Sequence, residues 1–105
     1  MTAQGNPRTV FRRAIERENL VAAELNARIM GNVTLVEALE LTALVALRDP
    51  SRRSRYAARW LTRWLAETPA ATLEDAAIVV AYIGALGGPR HAVTVATLHG
   101  IVERT

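Results

Sequence analysis

Residues 34–66, TLVEALELTALVALRDPSRRSRYAARWLTRWLA, decide the fold class. The stretch opens on Thr34-Leu35-Val36-Glu37, the pattern of a capping box. In such a box the Thr34 hydroxyl accepts from the N–H of Glu37 while the Glu37 carboxylate reaches back to the N–H of Thr34. An apolar run follows that carries only Glu37 and Glu40 before Arg48. Asp49-Pro50 then sets a capping-type residue before a proline, which suits a helix start, where the missing N–H would be unpaired in any case. Beyond it the chain is amphipathic. Tyr56, Ala57, Trp60, Leu61, Trp64 and Leu65 recur at i, i+1, i+4 and i+5, which makes one apolar face. On the opposite side Arg52, Arg55, Arg59 and Arg63 fall within an arc of about 80° at 100° per residue. The stretch reads as two helices joined by a tight proline turn, an αα-hairpin.

The same punctuation recurs on both sides. Asn6-Pro7 and Gly88-Pro89 mark further starts, and Thr72-Leu73-Glu74-Asp75 repeats the capping box with a shorter acid. Gly31, just past Arg28-Ile29-Met30, is a good terminator, and Thr68-Pro69 ends the segment before it. No run of alternating β-branched residues appears, and 19 alanines in 105 residues favour helix. The predicted spans are 7–30, 34–48, 50–66, 73–86 and 89–104. The first is expected to break near Glu18-Asn19, with Asn19 capping the piece 20–30. The fold class is all-α: five or six helices packed as antiparallel αα-hairpins. Residues 1–6 are expected to form a flexible N-terminus and residues 7–105 a single helical domain. Thr72 follows Thr34 by 38 residues and Pro89 follows Pro50 by 39, a period within the range of helical-repeat arrays. A short repeat-like stack and an irregular bundle both fit that echo.

Composition narrows the class further. Half of the residues are hydrophobic and 22% are charged, which fits neither a disordered polyelectrolyte nor a membrane protein. The longest uncharged stretch, Ala76 to Pro89, is 14 residues, against about 20 for a spanning helix. The start, MTAQGNPRTVFRR, has no apolar core of a signal peptide, so a cytoplasmic location is expected. Cysteine is absent, which removes disulfides, thiolate zinc sites and thiol nucleophiles together. All 13 cations are Arg, and the net charge of +3 gives only a mild field.

Two spans, 34–48 and 73–86, are apolar nearly all round, and such helices need to be surrounded. Either both lie in a middle layer, or part of one is exposed and is covered by a second subunit, which makes a homodimer one expectation. Small residues line two seams, Ala77, Ala81 and Ala85 on one helix and Ala92, Ala96 and Gly100 on the next. In water such seams usually mean tight packing within one chain.

Catalytic chemistry finds little purchase. His91 and His99 lie eight apart on one predicted helix, whereas helical metal pairs need i, i+4. They read as surface or half-buried histidines. Ser51 and Ser54 are turn or helix-start residues. Glu24 with Arg28, and Glu16 with Arg12, read as i, i+4 surface pairs. No Glu-x-x-His of a di-iron bundle occurs, and Gly84, Gly87 and Gly88 lack the strand and Lys of a phosphate loop. No catalytic, cofactor-binding or metal-binding residue is therefore expected. The candidate contact set is Arg52, Arg55, Arg59 and Arg63, whose guanidinium groups suit phosphates or an acidic protein surface. Trp60 and Trp64 face away from that stripe and read as core.

The run Phe11-Arg12-Arg13-Ala14-Ile15-Glu16-Arg17, the segment Glu37-Ala38-Leu39-Glu40-Leu41 and the block Arg59-Trp60-Leu61-Thr62-Arg63-Trp64-Leu65 resemble small uncharacterised helical proteins of high-GC, actinobacteria-like bacteria. The resemblance implies an all-helical fold and a bacterial setting, and no activity. The sequence favours a non-enzymatic protein–protein interaction or accessory module, using the Arg52–Arg63 face or an apolar groove near the C-terminal hairpin. The alternative is a small nucleic-acid-binding regulator that grips phosphates with the arginine stripe.

Overall fold

In a computed structural model, residues 6–104 are described and hold six helices, with no strand among them. They are α1 (Pro7–Glu16), α2 (Leu20–Met30), α3 (Leu35–Arg48), α4 (Arg53–Glu67), α5 (Leu73–Ala85) and α6 (His91–Arg104). A 3₁₀ turn, Pro50–Arg52, leads into α4. Of the stretch expected to be a flexible N-terminus only Asn6 is described, and its side chain caps α1 by accepting from the N–H of Thr9. Residues 1–5 lie outside the described residues.

Local signals account for most helix ends. Asn19 caps α2 by accepting from the N–H of Ala22. The boxes at Thr34 and Thr72 are complete, with both reciprocal bonds at 2.9–3.1 Å. α1 stops in a Schellman arrangement, in which the N–H of Asn19 reaches the carbonyl of Ala14 and the N–H of Glu18 that of Ile15. Glu18 takes the left-handed backbone, φ 56°, that glycine usually supplies there. The proline turns depart from expectation. Asp49 caps nothing, because its carboxylate accepts instead from Ser51 Oγ and Arg52 Nε, each at 2.7 Å. α6 begins two residues after Pro89, with His91 Nδ1 accepting from the N–H of Gly87 at 2.7 Å. The two Thr starts of the 38-residue echo thus match, and its two proline turns do not.

The short connections fold each helix back on its predecessor, so α1 packs on α2, α3 on α4 and α5 on α6. The array is elongated, 49 × 29 × 21 Å, with α3 at its centre in contact with α1, α2, α4 and α6. Two buried clusters meet on α3. Leu39, Ala43 and Ala46 pack with Trp60, Trp64, Val79, Ile83, Leu86 and Leu98. Leu44 packs with Phe11, Ala14 and Ala23 on another side. Trp60 and Trp64 are core, as their spacing implies, and Trp60 Nε1 donates to the Leu35 carbonyl at 3.0 Å. Leu65, assigned to the same apolar face, is 50% exposed, because it lies at the edge of that face away from α3.

Only one of the two apolar helices is surrounded. α3 buries Leu39, Thr42, Ala43, Leu44, Val45 and Ala46, whereas α5 buries Val79 and Ile83 alone. The small-residue seams do not tighten packing within the chain: Ala77, Ala81, Ala85, Ala92 and Ala96 all face solvent. The middle-layer arrangement therefore holds for α3 and fails for α5.

Two ties fix the layers. Arg8 of α1 clamps Glu37 of α3 through both carboxylate oxygens, at 2.7 and 3.1 Å, and also donates to the Asn32 carbonyl. This bond from Arg8, against the opposing effect of burial and with help from the Thr34 N–H, holds the Glu37 carboxyl at about 2, below its ordinary 4.5. The turn between α5 and α6 closes against α3 at Gly87, whose φ is +84° and where an added Cβ would lie 2.6 Å from the Ala46 carbonyl oxygen.

Gly87→Ala is expected to cost roughly 3 kcal/mol, combining left-handed strain with a backbone clash. Gly31→Ala, at φ +74° with open space around it, should cost only about 1 kcal/mol. Urea unfolding of the two variants measures the difference. The folded state lowers the affinity of Glu37 for a proton, so its contribution is complete above pH 4.5 and is lost as pH falls toward 2. Glu37→Gln should remove that part of the acid dependence of stability in a pH-resolved thermal melt.

Candidate functional site

The arginine row of α4 does not stand as four free guanidiniums. Arg52, entering the helix from the 3₁₀ turn, is drawn across to α2, where Nη1 and Nη2 bind both oxygens of Glu24 at 2.7 and 3.0 Å. Its Nε meets Asp49 at 2.7 Å. Arg63, near the other end, pairs with Glu67 one turn on, Nε to Oε2 at 2.6 Å. Arg55 and Arg59 remain exposed, and neither forms an ion pair among the described residues. Of the four candidates, Arg52 is a structural tie, Arg63 is paired locally, and the middle two are available.

The available pair opens onto a cleft between α2 and α4 of about 430 Å³. Its lining includes Arg28 from α2 together with Arg52, Arg55, Arg59, Glu24, Tyr56 and Leu41. Arg28 is the residue that sequence reasoning missed. It was expected to neutralise Glu24 across one helical turn, but Glu24 is taken by Arg52 and by the Tyr56 hydroxyl, which donates to the same carboxylate. No ion pair therefore holds Arg28 among the described residues. The expected Glu16–Arg12 pair does not form either. The signal that could have exposed Arg28 is Arg52, which has no acid of its own four residues along the helix.

A rigid floor underlies the cleft. Glu24 keeps 14% of its side chain exposed, and its pKa is lowered chiefly by the bond from Arg52. The Tyr56 phenol is pushed up, first by burial and then by its bond to Glu24. The Arg52 and Arg59 guanidinium carbons lie 5.6 and 5.5 Å from the Tyr56 ring centre, within the range of cation–π attraction. Four arginines and one glutamate line the cleft, a formal +3, which equals the net charge of the entire chain.

The two histidines serve the framework. His91 caps the α5–α6 turn. His99, read from sequence as surface or half-buried, is half-buried and lies between two carboxylates, Glu40 of α3 at 3.2 Å and Glu103 of α6 at 3.9 Å. Among the described residues no group of His, Asp and Glu is arranged to hold a metal ion. No helix of the described residues is long and apolar enough to cross a membrane.

Arg52→Gln should lower the urea midpoint clearly more than Arg55→Gln or Arg63→Gln, because it leaves the partly buried Glu24 carboxylate without its bidentate partner. Equal midpoints for the three variants would contradict the assignment of Arg52 as a tie. No protein-family model, curated protein or solved structure matches the chain.

Proposed function

We propose that the chain is a non-enzymatic helical interaction module that assembles with a second copy of itself through the outer face of α5. The observation that carries this reading is the uncovered apolar surface of that helix. From Val80 round to Ile78, an arc of about 160° at 100° per residue, the only charged side chain is Glu74. Leu73 is 88% exposed, Val80 52% and Ile78 47%. Between them run Ala77, Ala81 and Ala85, small enough to let a second helix approach to about 8 Å between axes.

A second copy is the occupant favoured by charge and by size. A two-fold interface lays each group near its own image, so the outer arc of α5, with Glu74 as its one charge and Arg53 and Arg90 only at its rim toward α6, meets itself with little repulsion, whereas an arginine face would not. The exposed parts of Leu73, Ile78, Val80, Tyr82 and Val93 come to on the order of 500 Å², within the range of the largest apolar patch on a monomer, which is often functional. The alanine stripe and adjoining backbone bring it toward the ~800 Å² per partner of a standard interface.

Light scattering across a concentration series tests the reading. The expected mass is twice 11.5 kDa, and Ala81→Glu, which sets a carboxylate on the interface without touching the core, should return the monomer with an unchanged helical spectrum. A wild-type chain that stays monomeric at about millimolar concentration, far above the Kd of a specific dimer, overturns it. A dimer that survives Ala81→Glu overturns the assignment to this face.

A further inference from the structure

We propose that the cleft between α2 and α4 is a binding site for a phosphate group, held by Arg28, Arg55 and Arg59. These three side chains come from two helices, are exposed, and form no ion pair among the described residues, yet all line the same 430 Å³ concavity. That volume is in the range of small-ligand sites. The number of donors points to the anion. Each guanidinium offers a planar fork of N–H groups, so a carboxylate, with two oxygens, satisfies one of them. A phosphate ester offers three acceptor oxygens and a charge of about −1.5 to −2, which matches several forks and a formal +3 lining.

The floor of the cleft is arranged to tolerate such a ligand. Both Glu24 oxygens are already engaged by Arg52 and Tyr56, so the one carboxylate in the lining is neutralised within the protein. Tyr56, held between Arg52 and Arg59, provides an aromatic wall. The positive region is also confined. The two outer arginines of the row are already paired, Arg52 with Glu24 and Asp49 and Arg63 with Glu67. A compact phosphate ester fits the three arginines that remain, and a nucleic-acid duplex tracking along the helix would find its outer contacts already taken. No residue of the α5 face takes part, so the site does not depend on self-association.

NMR of the Arg Nε–Hε resonances during titration with inorganic phosphate, at ionic strength fixed with chloride, tests the proposal. The expected result is saturable shifts of Arg28, Arg55 and Arg59. Affinity should fall about five-fold or more in Arg28→Gln and in Arg59→Gln, and be unchanged in Arg17→Gln, which lies in the turn after α1. Phosphoserine and a nucleoside 5′-monophosphate carry the same group from a protein and from a metabolite. Whichever binds tighter than phosphate identifies the source, and either supports the site. Shifts that fail to saturate, that chloride alone reproduces, or that persist undiminished in Arg28→Gln/Arg59→Gln overturn it. So does a duplex oligonucleotide that binds at this face and is not displaced by phosphate. All substituted positions are exposed, and a helical spectrum checks that each variant is folded.

Discussion

The burial of α3 is the constraint on which the remainder of the molecule rests. Between Glu40 and Arg48 this helix presents no charge in any direction, and its surface is stable only when other helices remove it from water. α1 and α2 cover one side through Phe11, Ala14 and Ala23, while α4 and α6 cover another through Trp60, Trp64 and Leu98. The hairpin pairing of neighbours follows from the short connections. The stacking of the hairpins around one rod follows from the fact that a single rod needed covering on all sides.

Apolar burial alone would allow those covering helices to slide, and the polar bonds remove that freedom. Arg8 to Glu37 sets α1 against the first turn of α3, Arg52 to Glu24 sets the start of α4 against α2, and His99 to Glu40 joins α6 to α3. Each links residues far apart in sequence, and the two arginine ties are bidentate, which fixes orientation as well as distance. The Glu37 carboxylate does two jobs, closing a capping box and receiving Arg8, so the start of α3 and the docking of α1 depend on one side chain.

The surplus left after these demands is instructive. α5 has the composition of an interior helix and the position of an exterior one, since the chain provides only one flank for it. At the other side of the array, neutralising Glu24 with Arg52 leaves Arg28 without an ion pair among the described residues and groups it with Arg55 and Arg59. One surface is apolar and nearly uncharged, and the other concentrates the net charge of the protein in a concave site. Surfaces of such different chemistry suit different partners: an apolar face is matched by another apolar face, and clustered guanidiniums by anionic oxygen.

What the sequence determined by itself were the helices and most of their ends. Capping boxes at Thr34 and Thr72, the Asn6 and Asn19 caps and the stop at Gly31 involve groups within four residues of one another, and the 3.6-residue period of Trp60 and Trp64 is equally local. The sequence could not tell which of two similar apolar helices would be central. It could not reveal that Asp49 would serve Arg52 in place of the backbone, or which arginines would be left without an acid. Those outcomes were decided by tertiary structure, because they depend on which residues some thirty positions apart meet when the hairpins stack. Glu24 has Arg28 available on its own helix and Arg52 in the turn before α4, and only the fold places the second one nearer.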